Sequence, residues 1–194
     1  MRTGSADQPA DSASAVSAAR RCSHVRAPSI PKRLTRNPFR EARPAAAAPA
    51  LAESAVWLAE RGYRVTALDW QVEALDMGRR LADSRGTACD FRAVDLREPG
   101  SVPPGPWSIV LDFRYLDRPL LATFPRLVAP GGVAVVRTFR DAPGYEGHPR
   151  PRHRLASWEL TRAFPRGEWE VLAHEQGFDP DGRPAAGIVA RRRD

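Results

Sequence analysis

From Leu51 onward the chain alternates short apolar runs, bounded by turn residues, with amphipathic stretches of about ten residues. Leu51, Ala55, Leu58 and Ala59 fall at helical spacing ahead of the breaker Gly62, which predicts a helix over 51–61. Tyr63–Asp69 then reads as a buried strand ending in a carboxylate. A second helical stripe, Ala74, Leu75, Met77 and Leu81, closes near Gly86, and Ala88–Asp95 is a strand ending in a second carboxylate. Beyond the turn-rich Pro99–Pro106, Trp107–Asp112 is a short apolar strand. Leu120–Val128 reads as a helix stopped by Pro130-Gly131-Gly132, and Val133–Thr138 as a strand dense in β-branched residues. Strands separated by helices of this length need crossover connections, so the expected class is α/β, a doubly wound and mostly parallel sheet with helices on both faces.

The carboxyl-terminal part changes character. A loop rich in Pro, Gly and His spans 141–154, and a short helix is expected over 157–164 with Ser157 as its cap. Two strand-like runs, Trp169–Glu175 and Ala186–Ala190, flank Phe178-Asp-Pro-Asp-Gly182. A turn that short joins antiparallel neighbours, so the sheet is expected to finish in an antiparallel hairpin.

Charge separates the chain into two parts. Residues 1–44 carry nine basic and three acidic side chains, most of the net charge of +7; the remainder holds 21 basic against 20 acidic and is nearly neutral. Residues 1–37 are Ser, Ala, Arg and Pro with few large apolar side chains, too little buried surface to offset ordering entropy. The expected organisation is a disordered basic arm over 1–37 and one folded domain over 38–194. Only one of the thirty basic residues is Lys, a bias of composition rather than a selected phosphate-binding face, so nucleic acid is not the expected partner. Cys22 and Cys89 have neither disulfide nor metal-ligand spacing, and Cys89 reads as a small buried apolar residue. No apolar run of about 18 residues and no secretory leader pattern is present, so the expected compartment is the cytoplasm, with no membrane partner.

Asp69 stands where a nucleotide-binding βαβ unit places the carboxylate that receives a ribose diol. A Gly-rich turn should precede it by roughly 20 residues. The chain instead has Ala45-Ala-Ala-Ala-Pro49-Ala-Leu-Ala52, with no glycine. A second reading of Asp69 makes it the cap of the helix starting near Gln71.

Four pieces in order, Trp57–Trp70, Ala93-Val-Asp-Leu96, Val110–Leu116 and Ala129-Pro-Gly-Gly132, resemble class I S-adenosylmethionine-dependent methyltransferases, most closely the small tellurite-resistance-type group. The resemblance covers Ala55–Arg192 and implies a Rossmann-like methyltransferase sheet, S-adenosylmethionine as cofactor and a small-molecule methyl acceptor. It implies that Asp69 accepts from the ribose hydroxyls and Trp70 packs on the adenine or ribose. Asp95 would meet the adenine amino group with the Leu96 N–H beside the ring; otherwise Asp95 forms the turn before Arg97-Glu-Pro99. Phe113, Arg114 and Tyr115 stand where the family lines its methyl-transfer pocket, or else serve packing and surface. His148 and His153, in Gly147–Arg154, would supply substrate contacts or a base; no third ligand spaced for a metal accompanies them. No Asp/Asn-Pro-Pro-aromatic run follows the fourth strand, which weighs against a nucleic-acid base as acceptor.

The family's first strand and glycine turn should fall on Ala45–Ala52, with Ala48, Ala50 and Ala52 at the glycine positions and Pro49 between them. A Cβ and a rigid proline obstruct both the tight turn and the close approach to the methionine portion of the cofactor. Three accounts fit: a homologue that has lost its cofactor and serves as an interaction module with an Arg-rich arm, binding by another route, or a shifted reading frame before Ser54.

Overall fold

The computed structural model describes residues 14–18, 21–26 and 49–194, with side chains from Ala52 onward. Among the described residues eight strands form one mixed sheet: β1 (Ser14–Ala18), β2 (Arg21–Arg26), β3 (Arg64–Asp69), β4 (Cys89–Ala93), β5 (Trp107–Phe113), β6 (Val128–Phe139), β7 (Trp169–Phe178) and β8 (Pro184–Arg192). Their order is β4-β3-β1-β2-β5-β6-β8-β7. Helices α1 (Pro49–Ala59), α2 (Val72–Ser84), α3 (Arg118–Leu121), α4 (Phe124–Leu127) and α5 (Glu159–Ala163) connect them.

Pairing is parallel for β3–β4, β1–β3, β1–β5 and β5–β6, and antiparallel for β6–β8 and β7–β8. The terminal hairpin is therefore present as read, with strands longer than expected. Two strands, β1 and β2, lie within the segment read as a disordered arm; the rest of that segment and the boundary at residue 38 lie outside the described residues. β2 runs antiparallel to β1, β3 and β5, and the two strands share the slot between β3 and β5.

Of the segment Ala45–Ala52, expected to hold the first strand and its turn, the described part is helical. Pro49 opens α1, so Ala50 and Ala52 are helical, and residues 45–48 lie outside the described residues. The reason is local: proline fits the first helical turn, and alanine has the highest helix propensity of any residue. Gly62, at φ +84°, ends the helix, its N–H donating to Ala59 O at 2.9 Å while the Tyr63 N–H donates to Leu58 O.

The strands alternate between two cores. Val65, Ala67, Ile109, Leu111, Val133, Val135 and Val189 face α1 and α2, meeting Ala55, Leu58, Leu75 and Ala82. Leu68, Val110, Ala134, Val136, Ile188 and Ala190 face the other way onto Leu120, Phe124, Leu160 and Phe164. This period of two, buried on both sides, gives the sheet a helical layer on each face. Phe164 bridges Phe124 and Trp169 edge-to-face, with centroids 6.1 and 4.9 Å apart. On the first face α2 presses onto β4 at Gly78, where a Cβ would run into the Phe91 ring.

Two helices differ from expectation. The run 120–128 is split into α3 and α4 because Pro125, in the first turn of α4, has no N–H to continue the α3 ladder. α5 begins at Glu159 rather than after Ser157: Trp158 takes the cap position with φ +61°, and Glu159 Oε2 accepts the Ala156 N–H instead.

Candidate cofactor crevice at the carboxyl edge of the sheet

Because β1, β3, β4, β5 and β6 run the same way, the segments that leave β3, β4, β5 and β6 emerge on one edge. In open α/β sheets that edge is where ligands bind. It carries Asp69, the Asp95 turn, Asp112 to Asp117 and the loop after Phe139.

Asp69 ends β3 and is 1% exposed. Its Oδ1 accepts the Gln71 N–H at 3.0 Å, and its carbonyl accepts the Val94 N–H at 2.9 Å, tying the exit of β4 to that of β3. Gln71 stands at the N-cap of α2 and gives it no side-chain cap, and the Asp69 carboxylate, on the Gln71 N–H, shapes the turn into the helix. Trp70, beside it, is half exposed.

Asp95 is the turn residue. Its Oδ1 accepts the Arg97 N–H at 3.0 Å and Nε at 2.9 Å, its Oδ2 takes the Arg97 Nη2, and its carbonyl takes the Glu98 N–H. The Arg97 hydrogen bonds hold the Asp95 carboxyl down to about 2. Leu96 is partly buried against the second core.

Phe113 packs on the first core from the end of β5. Arg114 follows at φ +60°, its N–H donating to Arg137 O and its guanidinium reaching Asp179 and Asp181, in the turn between β7 and β8. Tyr115 is half-buried and donates to Asp117 Oδ2 at 3.2 Å. Burial, then the charge and hydrogen bond of Asp117, then Asp112 and Asp95 push its hydroxyl up, which keeps it a donor throughout the neutral range. Asp117 caps α3 through the Leu120 N–H. Asp112, 3% exposed in β5, is a buried carboxylate to which the sequence alone assigns no site role. The signal was present: a single acid closing an otherwise apolar run.

The loop after β6 is stapled by one buried cation. Arg154 donates Nε to Pro149 O at 2.6 Å, Nη1 to Tyr145 O and Asp141 Oδ1, and Nη2 to Gly147 O, with its guanidinium 4.7 Å from the Tyr145 ring centre. Arg118 adds a two-point pair with Glu159 and reaches the carbonyls of Arg152 and Arg154. Burial raises the Glu159 carboxyl, but the Arg118 and Ala156 hydrogen bonds outweigh it and hold the group below its ordinary range. His148 and His153 are both exposed on this loop; the His148 carbonyl accepts the Tyr145 hydroxyl and His153 Nε2 accepts from Arg152.

A shallow depression is lined by Asp141, Tyr145, Glu146, Arg154 and Ser157, and a second by Ala52, Glu53, Met77, Arg80 and Leu81. Neither contains Asp69, Asp95, Tyr115 or either histidine. Among the described residues no group of three or more His, Cys, Asp or Glu is placed to hold a metal, and no helix is long and apolar enough to cross a membrane. Cys89 is a free thiol that burial pushes up to about 11. No glycine occurs between Gly4 and Gly62, so neither β1 nor the segment leading from it to β3 carries a glycine-rich turn.

No protein-family model and no curated protein matches the chain in sequence. Its fold is nonetheless that of the S-adenosylmethionine-dependent methyltransferases, as solved structures show. One is TehB from Haemophilus influenzae, aligned over 71% of this chain and 53% of that one, at 15% identity and a TM-score of 0.59; the chain thus spans about half the length of TehB. A putative S-adenosylmethionine-dependent methyltransferase from Listeria monocytogenes aligns over 73% and 86%, at 12% and 0.54. The 1,6-didemethyltoxoflavin-N1-methyltransferase of Burkholderia thailandensis, solved with S-adenosylhomocysteine, aligns over 71% and 65%, at 18% and 0.50.

Proposed function

We propose that the chain is a Rossmann-like, S-adenosylmethionine-dependent methyltransferase of a small molecule, with the nucleoside end of its cofactor site centred on Asp69. The observation that carries this reading is the burial of the Asp69 carboxylate at the tip of β3 in a methyltransferase fold. A carboxylate has about four lone-pair sites, so Asp69 can accept from a vicinal diol alongside the Gln71 N–H that its Oδ1 already takes. The residues fit the ribose and adenine: Trp70 offers an exposed ring beside Asp69, Leu96 and Phe113 supply apolar walls, and Asp95 reaches the adenine amino group by exchanging part of its pairing with Arg97. Bound, the cofactor supplies an electrophilic methyl on a sulfonium. The chain then needs to align an acceptor and exclude water rather than provide a covalent group. Tyr115, a donor at neutral pH, stands at the exit of β5 for that alignment, with His148 and His153 on the facing loop as further acceptor contacts.

A second reading is favoured by one observation, the absence of glycine from residue 5 to residue 61. In it the domain retains the fold, binds no cofactor, and serves as an interaction module with its Arg-rich amino-terminal segment. Calorimetric titration of the full chain with S-adenosylmethionine, S-adenosylhomocysteine and adenosine separates the two. A dissociation constant of about 1–100 μM for the first two, roughly −8 to −5.5 kcal/mol, supports the first reading. No heat and no thermal shift in a folded sample supports the second. Adenosine binding as tightly as S-adenosylhomocysteine means that only the nucleoside end has survived.

A further inference from the structure

The turn between β7 and β8 is closed by Asp179, a carboxylate whose side chain is only 4% exposed. Its Oδ1 accepts the N–H groups of Asp181 and Arg183 at 3.0 and 2.9 Å, and its Oδ2 accepts Arg183 Nε at 3.0 Å. Arg183 also pairs with Asp181. This turn is therefore complete without outside help: its backbone donors are satisfied, and Arg183 faces both acids. Yet Arg114, 65 residues earlier in the chain, adds a second guanidinium, with Nη2 3.3 Å from Asp179 Oδ2 and 3.4 Å from Asp181 Oδ2. The Phe139 ring, at the end of β6, lies beside both cations, its centre 4.9 Å from the Arg183 guanidinium carbon and 5.9 Å from that of Arg114.

The surplus contact has a use at its other end. Arg114 is a non-glycine residue at φ +60°, a backbone state that L residues hold only when their surroundings fix it. That state turns the chain between Phe113 and Tyr115, both at the proposed crevice. We propose that Asp179 and Arg114 form a positioning latch: the turn of the terminal hairpin sets the shape of the Phe113–Tyr115 segment, and Arg114 is a positioning residue rather than a substrate contact. The effect on ligand binding rests on the cofactor reading above; the effect on shape does not.

Hydrogen exchange of the full-length, ligand-free chain tests the latch. Arg114→Asn keeps a residue that tolerates the left-handed state but removes the guanidinium. Amide exchange over 113–117 should rise at least tenfold, while the 179–183 turn, still held by Arg183, and α2 change less than twofold. Arg114→Lys, which keeps the charge, should fall between the variant and the wild type, and it serves if Arg114→Asn fails to fold. Unchanged exchange over 113–117, or an equal rise everywhere, overturns the latch. Where the wild type binds S-adenosylhomocysteine, Arg114→Asn should weaken it about tenfold and Arg114→Lys should recover part of the loss; an unchanged affinity with raised exchange overturns the link to the crevice. If the wild type does not bind, the cofactor reading fails and exchange alone decides the latch.

Discussion

Two loops leave the same edge of the sheet and are held by the same kind of residue in opposite ways. The loop after β4 is shaped by Asp95 and Arg97, a pair made by neighbours in sequence, with the arginine side chain 77% exposed. The loop after β6 is shaped by Arg154, 2% exposed, which reaches four acceptors spread over Asp141–Pro149. In water a guanidinium loses and regains its partners at little net gain; enclosed, it leaves several carbonyls without donors if it is removed. The edge thus combines one loop whose shape is fixed in advance with one whose charges are available for exchange, a useful arrangement if the second must open to admit an adenine.

Removing the buried staple should have the largest effect. Arg154→Ala is expected to cost about 2–4 kcal/mol in urea unfolding, because three carbonyls and Asp141 lose their donor. Breaking the tie from α3 to the far end of that loop should do less: Arg118→Ala loses a two-point pair with Glu159, the arginine half open to solvent, and about 0.5–1.5 kcal/mol is expected after solvent screening. A loss in Arg118→Ala as large as in Arg154→Ala would break the comparison.

Acid sharpens it. Glu159 has a folded-state pKa below its ordinary value, so its stabilisation is present above the ordinary carboxylate range and is lost as pH falls through the folded value. Stability should therefore be level from pH 7 to about 5 and fall once the pH drops below about 4. In Glu159→Gln that fall should be shallower. The smallest effect is expected at the exposed pair, where Arg97→Ala should leave the melting temperature within error of the wild type while making the Asp95 turn exchange faster.

Much of this was legible in the residues. The strands from Arg64 onward, the helices α1 and α2 and the terminal hairpin follow from apolar periodicity and breakers, because burial on two faces leaves a clear period. The turn role of Asp95, one of its two readings, is visible in the spacing Asp95-x-Arg97. What was not legible has physical causes. Ala45–Ala52 was matched to a strand by position, whereas its alanines and Pro49 favour helix. Ser14–Ala18 and Arg21–Arg26 carry too little apolar pattern to announce strands. Arg114 meets Asp179 across 65 residues, and Arg154 spends its donors on carbonyls, which no side-chain pattern encodes.

The central claim, a nucleoside site at Asp69, is tested most directly by titrating the full chain with S-adenosylhomocysteine as wild type and as Asp69→Asn. This substitution retains an acceptor oxygen for the Gln71 N–H while removing the charge and one of the two acceptors. The account predicts binding in the micromolar range for the wild type and a loss of at least tenfold in the variant, about 1.4 kcal/mol or more, with the melting temperature little changed. Equal affinity in the two proteins, or no binding in a folded wild type, would contradict it.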